Sequence, residues 1–432
     1  MDALIKTKHK KIYAALVGAL FLISSNAVLA EEGQPSSEMS PNKSADQQQI
    51  INQLLQRIEA LEKKLGTMDT KPPAGTEYEQ RLMKIEGKIE QVREEASAVN
   101  IDNSFALAGY GTVGLMRERG DPGMGGMGGK TFTANFNPIF LYSYQDKFLF
   151  TGELELGLLP DGDTEAGLEQ AHVTYDLGEH VLFNAGRFLI PFGTFSERLH
   201  PAWINKFGMT LPVTYNNSTG IFTGALRDNG LQFRGHAPLG EVSKGTFHAF
   251  VTNGPTYVEV GSDERLSFGK SVDPNRFSPT LGGRLGFLPV PNTEIGLSYM
   301  GGKITNATDN ANRQFRAASL DAEYRLGGFE ARGEYIDLTH DLDDGDSVKS
   351  RGWYAQLSSR LSFLNPSLQA FEGVLRYGNV RRDRVLGNFQ NVNETSLGIN
   401  YYHSPFIKSA LSFSNHSANA LDRVDLTTSF AF

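Results

Sequence analysis

The side chains with the most evident chemistry are ionised groups at every second position of otherwise apolar segments. Glu330, Arg332 and Glu334 follow one another in this way, and Glu153 and Glu155 repeat the pattern earlier in the chain. In a β-strand, residues two positions apart point to the same side of the sheet. The spacing therefore predicts strands with one charged and one apolar face. A charged face of this kind needs water around it, because unpaired ionised groups are costly in an apolar environment.

Motifs for catalysis, metal binding or nucleotide binding are weak in this chain. Residues 123–128 have the G-x-G-x-x-G spacing, but a strand pattern follows them, whereas a nucleotide-binding loop opens a helix. The Asp-rich segment 340–347 places its glycine one position too early for a calcium loop. No nucleophile elbow accompanies the serines and histidines. We therefore expect no enzymatic activity, no cofactor and no metal site.

The first thirty residues have the features of a secretory signal peptide. Four lysines precede an apolar run from Ile12 to Ile23, and cleavage is expected after Ala30. A membrane anchor is the alternative, although the apolar run is short for a bilayer span. Without residues 1–30 the chain has 37 basic and 48 acidic residues and no cysteine. We therefore expect no nucleic-acid partner and no disulfide framework.

The next seventy residues change from a polar leader to a heptad pattern. Residues 31–50 predict a disordered leader. Residues 51–99 predict a periplasmic coiled coil in two segments, joined by a Pro-Pro-containing linker at 66–76. Amphipathic helices packed on their own chain are the alternative. Each segment contains an R-h-x-x-h-E sequence that resembles the motif of trimeric coiled coils, and the predicted trimerisation residues are Arg57, Glu62, Arg81 and Glu86.

From Ser104 to the end of the chain, the apolar residues recur with a period of two. The pattern predicts sixteen strands, connected alternately by tight links and by longer polar loops. Short turns on one rim and long loops on the other are typical of outer-membrane barrels. The predicted fold is all-β, a 16-stranded antiparallel transmembrane β-barrel over residues 104–432, preceded by an N-terminal α-helical coiled coil. An even strand number places the coiled coil at the short-turn rim, in the periplasm.

The strand pattern also predicts which side chains line the bore. Charged groups facing lipid would be destabilising near the bilayer midplane, and sixteen strands enclose more space than side chains fill. Alternatively, many of these charged side chains could pair with opposite charges on neighbouring strands of the wall. The 26-residue loop from Leu199 to Gly224 is the candidate to fold inward. The predicted pore-lining residues are Glu153, Glu155, Arg234, Arg284, Arg325, Glu330, Arg332, Glu334, Arg360, Arg376, Lys408 and Arg423.

The chain ends on a strand with outward aromatic residues. Leu426, Phe430 and Phe432 alternate with polar residues, so we expect the ring of Phe432 at the membrane interface, where aromatic side chains are favoured. This ending resembles the C-terminal signal that the barrel-assembly machinery reads in outer-membrane proteins. Phe430 and Phe432 are its predicted residues.

Residues 180–235 carry a family resemblance. The segments 185–193 (AGRFLIPFG), 197–199 (ERL) and 226–232 (LRDNGLQ) are similar to the core of the phosphate-selective porin O and P family. The coiled coil also resembles that of DcaP-type channels. The resemblance implies a trimeric sixteen-stranded channel for passive uptake. Phosphate selectivity in that family depends on arginine and lysine clusters, whereas residues 101–432 here contain 28 basic and 35 acidic residues.

Together these features predict an outer-membrane porin of a Gram-negative bacterium. We expect a homotrimer with water-filled channels for passive diffusion of small hydrophilic solutes, with anions among the candidates. The other expected partners are outer-membrane lipid, lipopolysaccharide and the barrel-assembly machinery. The alternative is a structural protein whose coiled coil tethers the membrane to peptidoglycan.

Overall fold

A computed structural model describes residues 103–119, 129–158, 162–178, 180–260, 263–269, 278–304, 313–342, 345–383, 389–417 and 421–432. The predicted signal peptide, leader and coiled coil, with Arg57, Glu62, Arg81 and Glu86, lie outside these residues. Residues 103–106 and 142–146 belong to one compact unit, in which Asn103 Nδ2 lies 3.4 Å from the Tyr142 hydroxyl. Residues 107–141 and 147–432 form a second compact unit.

Sixteen strands form one closed antiparallel barrel, and the β8–β9 hairpin lies apart from it. Each barrel strand pairs with the barrel strands before and after it in the chain, and β18 pairs with β1. The predicted sixteen-stranded barrel is confirmed. The strand bounds are β1 (Asn103–Arg119), β2 (Gly129–Tyr144), β3 (Phe148–Leu158), β4 (Thr164–Gly178), β5 (Val181–Leu189), β6 (Arg227–Pro238), β7 (Lys244–Thr252), β8 (Thr256–Val260), β9 (Asp263–Ser267), β10 (Thr280–Leu288), β11 (Thr293–Lys303), β12 (Gln314–Leu326), β13 (Phe329–Asp341), β14 (Ser347–Arg360), β15 (Phe371–Asp383), β16 (Phe389–Ser404), β17 (Ile407–His416) and β18 (Leu421–Ala431).

Helical structure in the described ranges is short. A single turn, α1 (Phe195–Arg198), follows β5, and two 3₁₀ turns, Leu361–Phe363 and Pro366–Leu368, connect β14 to β15. None of the helices described is long and apolar enough to cross a membrane.

The two faces of the barrel wall differ as the alternation predicts. In β18, the outward Leu426 is 53% exposed, whereas the adjacent Asp425 is 2% exposed. Outward leucines of neighbouring strands lie opposite one another, as Leu357, Leu375 and Leu397 do across β14, β15 and β16. Aligned leucines form the continuous apolar band that a lipid-facing surface requires.

The last residue closes the barrel against the first strand. The backbone N–H of Phe432 donates to the Gly109 carbonyl, and the Gly109 N–H donates to the Phe432 carbonyl, both at 3.0 Å. The Phe432 ring stacks on Phe136 with the centroids 5.8 Å apart and stays 48% exposed. A side chain at Gly109 would come within 2.8 Å of the Phe432 ring. The outward position predicted for Phe432 is therefore confirmed, and Phe430 lies beside it in the same strand.

The inward face is not polar throughout, which corrects the expectation of strands with one charged and one apolar face. Ile336, Leu338, Val380 and Val392 alternate with polar inward residues and are buried in an apolar cluster. Their partners in that cluster come from residues 190–226, which connect β5 to β6, and from the end of the β8–β9 hairpin. This part of the wall is covered by protein, so its inward positions are apolar.

Candidate functional site

The connection from β5 to β6, which we term the internal loop (residues 190–226), folds into the barrel. Its turn at Gly193 has φ of 65°, and a side chain there would overlap with the Glu334 carboxylate of β13. Phe192, Tyr215 and Phe222 of the internal loop are fully buried. The inward folding predicted for residues 199–224 is therefore observed, and the loop is a packed element.

Carboxylates on the inward face of the wall hold the internal loop along its length. Tyr215 Oη donates to Glu334 at 2.6 Å, and Thr194 Oγ1 donates to Asp321. Three further loop groups donate hydrogen bonds to wall carboxylates. Val213 N donates to Glu394 at 2.6 Å, Thr210 Oγ1 to Asp425 at 2.5 Å and Lys206 Nζ to Glu372 at 2.7 Å. These acceptors lie on β12, β13, β15, β16 and β18, so the loop covers that half of the bore.

Basic side chains of the same wall bond the carbonyl groups of the internal loop. Arg376 Nη2 donates to the Thr210 and Leu211 carbonyls at 3.2 and 3.0 Å and pairs with Glu394 at 2.7 Å. Lys408 Nζ donates to the Ala202 and Asn205 carbonyls at 3.1 and 2.6 Å. Backbone groups buried away from water need such partners. The wall thus supplies the hydrogen bonds that let a non-regular segment stay inside the barrel.

The structure divides the twelve predicted pore-lining residues into three groups. Arg284, Glu334, Arg376 and Lys408 point inward but lie buried against other protein groups. A second group is paired along the wall: Glu153 accepts from Tyr110 Oη, Arg325 and Arg332 contact Glu330, Arg360 stacks on Tyr402, and Arg423 bonds Glu118 and Asp425. Glu155 and Arg234 line open cavities.

A cavity of about 600 Å³ lies between the internal loop and the wall on the long-loop side. The wall residues that line it come from β1 to β6, and the internal loop contributes His200 and Leu226 to the lining. The charged residues that line it are Glu155, Glu165, Glu169, Arg187 and Arg227. Both signs of charge therefore face the same space.

Two arginines of this cavity differ in their partners. Arg227 bonds Glu169 and lies 3.6 Å from Glu155. Arg187 instead donates to two carbonyl groups, from Nε to Leu168 at 2.6 Å and from Nη1 to Gly269 at 3.0 Å. No carboxylate in the described part of the chain forms an ion pair with Arg187. Its guanidinium thus lines this cavity without a paired carboxylate among the described residues.

A second cavity, of about 590 Å³, opens on the short-turn side. Arg198 of α1 pairs there with Glu294 at 2.7 Å, and Arg234 of β6 lies 3.2 Å from Glu197. The rings of His180 and His236 approach to 4.4 Å at its rim. Among the described residues, no group of His, Asp and Glu is arranged to hold a metal ion.

An amide pair lies between the two cavities. On β6, Gln232 is placed between Arg227 and Arg234, which line the two different cavities. Asn184 Nδ2 of β5 donates to Gln232 Oε1 at 2.6 Å, and both residues are buried. Asn184 Oδ1 and Gln232 Nε2 have no hydrogen-bond partner within the described ranges. The wall between the two cavities thus contains a buried amide pair with one acceptor and one donor that are unpaired among the described residues.

His200 of the internal loop lies at the boundary of the long-loop cavity. Its Nε2 is 3.7 Å from Glu169 Oε1. Burial lowers the pKa of His200 to about 4. The imidazole is therefore neutral at pH 7, and the positive charge of this cavity comes from arginine.

The sequence analysis did not identify five residues as lining a cavity: Arg187, Arg227, Glu165, Glu169 and His200. Strict alternation groups Arg187 with the outward Phe183, but Gly186 between them has φ of 126°, which breaks the regular strand geometry. A bulge at Glu153 and Leu154 shifts the pairing of β3 with β4 in the same way. A usable signal was present, because Arg187 and Arg227 belong to the segments that carry the family resemblance.

Comparisons with solved structures agree with this geometry. The anion-selective porin from Comamonas acidovorans aligns over 76% of this chain and 100% of its own, at 14% identity and a TM-score of 0.52. The barrel has a porin fold. The outer membrane channel DcaP of Acinetobacter baumannii aligns over 77% of this chain and 98% of its own, at 12% identity and a TM-score of 0.52.

A further similar structure is the trimer form of OmpT, an outer membrane protein of Vibrio cholerae. It aligns over 76% of this chain and 99% of its own, at 10% identity and a TM-score of 0.50. No protein-family model and no curated protein sequence matches the chain. The likeness therefore establishes the porin fold, and membership of the phosphate-selective porin O and P family stays a prediction.

Proposed function

We propose that the protein is an outer-membrane porin that admits small hydrophilic solutes by passive diffusion. The proposal rests on one observation, that the internal loop fills only part of the bore. The internal loop occupies the side of β10 to β18, while two polar cavities of about 600 and 590 Å³ remain along β1 to β7. In this proposal the two cavities are the vestibules of a solute path, and the buried Asn184–Gln232 pair belongs to the wall between them.

The distribution of charge favours hydrophilic solutes of either sign over a single-sign filter. The long-loop vestibule combines three glutamates with two arginines, and the Asn184–Gln232 pair of the wall is uncharged. Arg187 gives an anion one favourable contact in that vestibule, whereas Glu165 attracts cations. A phosphate filter would need a surplus of basic groups along the path, and the described lining does not contain one.

Conductance in planar lipid bilayers tests the proposal. We expect stable single-channel steps, with a reversal potential in a salt gradient that indicates weak ion selectivity. Arg234→Gln should change this potential without closing the channel, because Arg234 is partly exposed in the short-turn vestibule. A folded barrel that shows no conductance would overturn the proposed function.

The assembly is proposed to be a homotrimer in the outer membrane of a Gram-negative bacterium, with the coiled coil in the periplasm. The trimeric form of a structural neighbour supports this assembly, and the R-h-x-x-h-E sequences at 57–62 and 81–86 supply a second reason. Cross-linking of the full chain should give a trimer. Removal of residues 51–99 should make that trimer dissociate at a lower temperature while each barrel still conducts.

A further inference from the structure

The long-loop cavity has its two signs of charge on different strands. Glu155, Glu165 and Glu169 lie on β3 and β4. Arg187 and Arg227 lie on the next two strands, β5 and β6. These four strands are consecutive in the barrel wall. The cavity therefore has an acidic side, formed by β3 and β4, and a basic side, formed by β5 and β6.

Only part of the charge on the acidic side is neutralised within the described part of the chain. Arg227 Nη1 bonds the buried Glu169 carboxylate and also lies 3.6 Å from Glu155. One cation thus serves two carboxylates, and the Glu155 side chain stays 47% exposed. Glu165 is exposed and forms no ion pair with a described residue. The acidic side therefore retains carboxylate oxygens that can accept further hydrogen bonds.

The basic side retains hydrogen-bond donors. Arg187 uses Nε and Nη1 for the carbonyl groups of Leu168 and Gly269, and its Nη2 donates to none of the described residues. A guanidinium group has five N–H donors in a fixed planar arrangement, so two bonds leave most of them for another acceptor. An anionic group bonds such donors more strongly than a neutral one does. The carboxylate of a solute can therefore bind at Arg187.

Two amide side chains extend the acidic side by one strand. Asn135 and Asn137 of β2, which neighbours β3, line the same cavity. Asn137 is 2% exposed, and the Oδ1 atoms of both residues have no hydrogen-bond partner in the described ranges. A buried acceptor without a partner is destabilising, and a donor group of a solute would supply the missing bond. This side of the cavity thus combines carboxylates with unpaired amide oxygens.

We propose that the long-loop cavity binds small zwitterionic solutes, which carry both an ammonium group and a carboxylate, as amino acids and short peptides do. The ammonium group binds Glu155 and Glu165 on the acidic side, and the carboxylate binds Arg187 on the basic side. A solute with one charge gains only one of these contacts and is repelled by the other side. The proposal rests on the porin function proposed above, for which it names a class of solute.

Influx of three tripeptide derivatives into proteoliposomes that contain the full-length protein tests the proposal. At pH 7 triglycine is a zwitterion, N-acetyltriglycine has only the carboxylate, and triglycine amide has only the ammonium group. Arabinose is uncharged and reports general passage through the channel. Potassium with valinomycin holds the membrane potential at zero, and rates from liposomes without protein are subtracted.

We expect triglycine to enter roughly fivefold faster than either singly charged derivative, the ratio that one exposed ion pair at each end would produce. Arg187→Gln should slow triglycine and N-acetyltriglycine but not triglycine amide. Glu165→Gln should slow triglycine and triglycine amide but not N-acetyltriglycine. The matched controls, which should change none of the rates, are Arg117→Gln on the outer face and Glu241→Gln in the exposed turn between β6 and β7. Heat-modified gel migration verifies that each barrel is folded.

Two results would overturn the proposal. One is equal or faster influx of a singly charged derivative into liposomes with the unmodified protein. The other is a preference for triglycine that neither Arg187→Gln nor Glu165→Gln reduces. Arabinose distinguishes these failures from failure of the porin function, because its entry shows that the channel is open and that only the assigned class of solute is wrong. If arabinose does not enter either, the porin function itself is wrong.

Discussion

At the scale of single residues, the charged groups of the bore perform two different tasks. Arg376 and Glu394 are both fully buried, and they fix the internal loop through each other and through loop backbone groups. Arg187 and Arg234, by contrast, face cavities. Removal of one partner from a buried pair leaves an unpaired charge in a dry environment, and this costs far more than the loss of an exposed pair. The two groups should therefore respond differently to substitution.

Arg376→Met should release the internal loop. The substitution removes the donors to the Thr210 and Leu211 carbonyls and leaves the Glu394 carboxylate without its cation. We expect a loss of about 3 kcal/mol in the free energy of unfolding, measured by urea titration in detergent, and faster proteolysis within the loop. Arg325→Met is the control, because its side chain is 57% exposed. Equal losses for both variants would contradict the anchoring role.

Arg187→Gln should shift the weak ion selectivity of the proposed channel toward cations. The substitution removes the cation of the long-loop vestibule that has no carboxylate partner among the described residues, while Gln retains donors for the Leu168 and Gly269 carbonyls. A single charge near the path changes the anion-to-cation permeability ratio by roughly threefold. Reversal potentials in a salt gradient measure this ratio. Arg117→Gln on the outer face should leave the ratio unchanged, and an equal effect there would rule out a local origin.

Acidification should loosen the internal loop through His200. Burial lowers its pKa in the folded protein to about 4, from the ordinary histidine value of 6.5. The unfolded chain therefore binds a proton below pH 6.5 that the folded protein accepts only near pH 4. The contribution of His200 is constant above pH 6.5, and stability falls by up to about 3 kcal/mol as the pH drops from 6.5 to 4.

Thermal unfolding across this pH range measures the effect of His200. The His200→Gln variant should lose part of the acid-induced decrease in melting temperature that the unmodified protein shows. His403→Gln, on the outer face near the short-turn rim, is the control. If the two variants respond to acid in the same way, His200 is not the group responsible.

At the scale of elements, the sequence predicted the barrel strands well because lipid allows few exceptions. One apolar face and one inward face are required of every strand, so alternation identifies all sixteen. It failed where protein covers the inward face. The alternation predicts only a longer polar loop between β7 and β10, yet this connection contains the β8–β9 hairpin, whose Leu266 and the following Phe268 are buried against the internal loop and the wall. Ile336 and Leu338 broke the polar inward pattern for the same reason.

Shortening the internal loop should widen the path. Replacement of residues 212–224 by two glycines removes Tyr215 and Phe222, which fill the bore beside the wall. We expect single-channel conductance to rise at least about twofold, because the uncovered half of a sixteen-stranded lumen would fill with water. Unchanged conductance in a folded variant would show that current flows by another route. The uncovered apolar wall should also lower the melting temperature.

At the scale of the whole molecule, the sequence could not predict which inward charged residues face water and which lie under the internal loop. Period-two alternation distinguishes inside from outside, but it contains no information on the contact of an inward residue with water or with a folded loop. Arg376 and Arg234 occupy equivalent inward positions in the pattern, yet one is buried under the internal loop and the other borders a vestibule. Long-range contacts of the loop, across about 200 residues of sequence, decide the difference.

The outer band gives a test of the molecule as a membrane protein that is independent of its bore. Leu397 and His403 face outward from the same strand, β16, and Leu397 is 55% exposed between Leu375 and Phe413. His403 lies six residues further toward the short-turn rim.

An arginine near the bilayer midplane costs about 2–4 kcal/mol, whereas one near the interface costs about 0–1 kcal/mol. Leu397→Arg should therefore lower the free energy of unfolding in lipid vesicles far more than His403→Arg does. In detergent above its micellar concentration the difference should shrink, because headgroups and water reach the band more easily. Equal costs at both positions in vesicles would contradict a leucine band that lies in hydrocarbon.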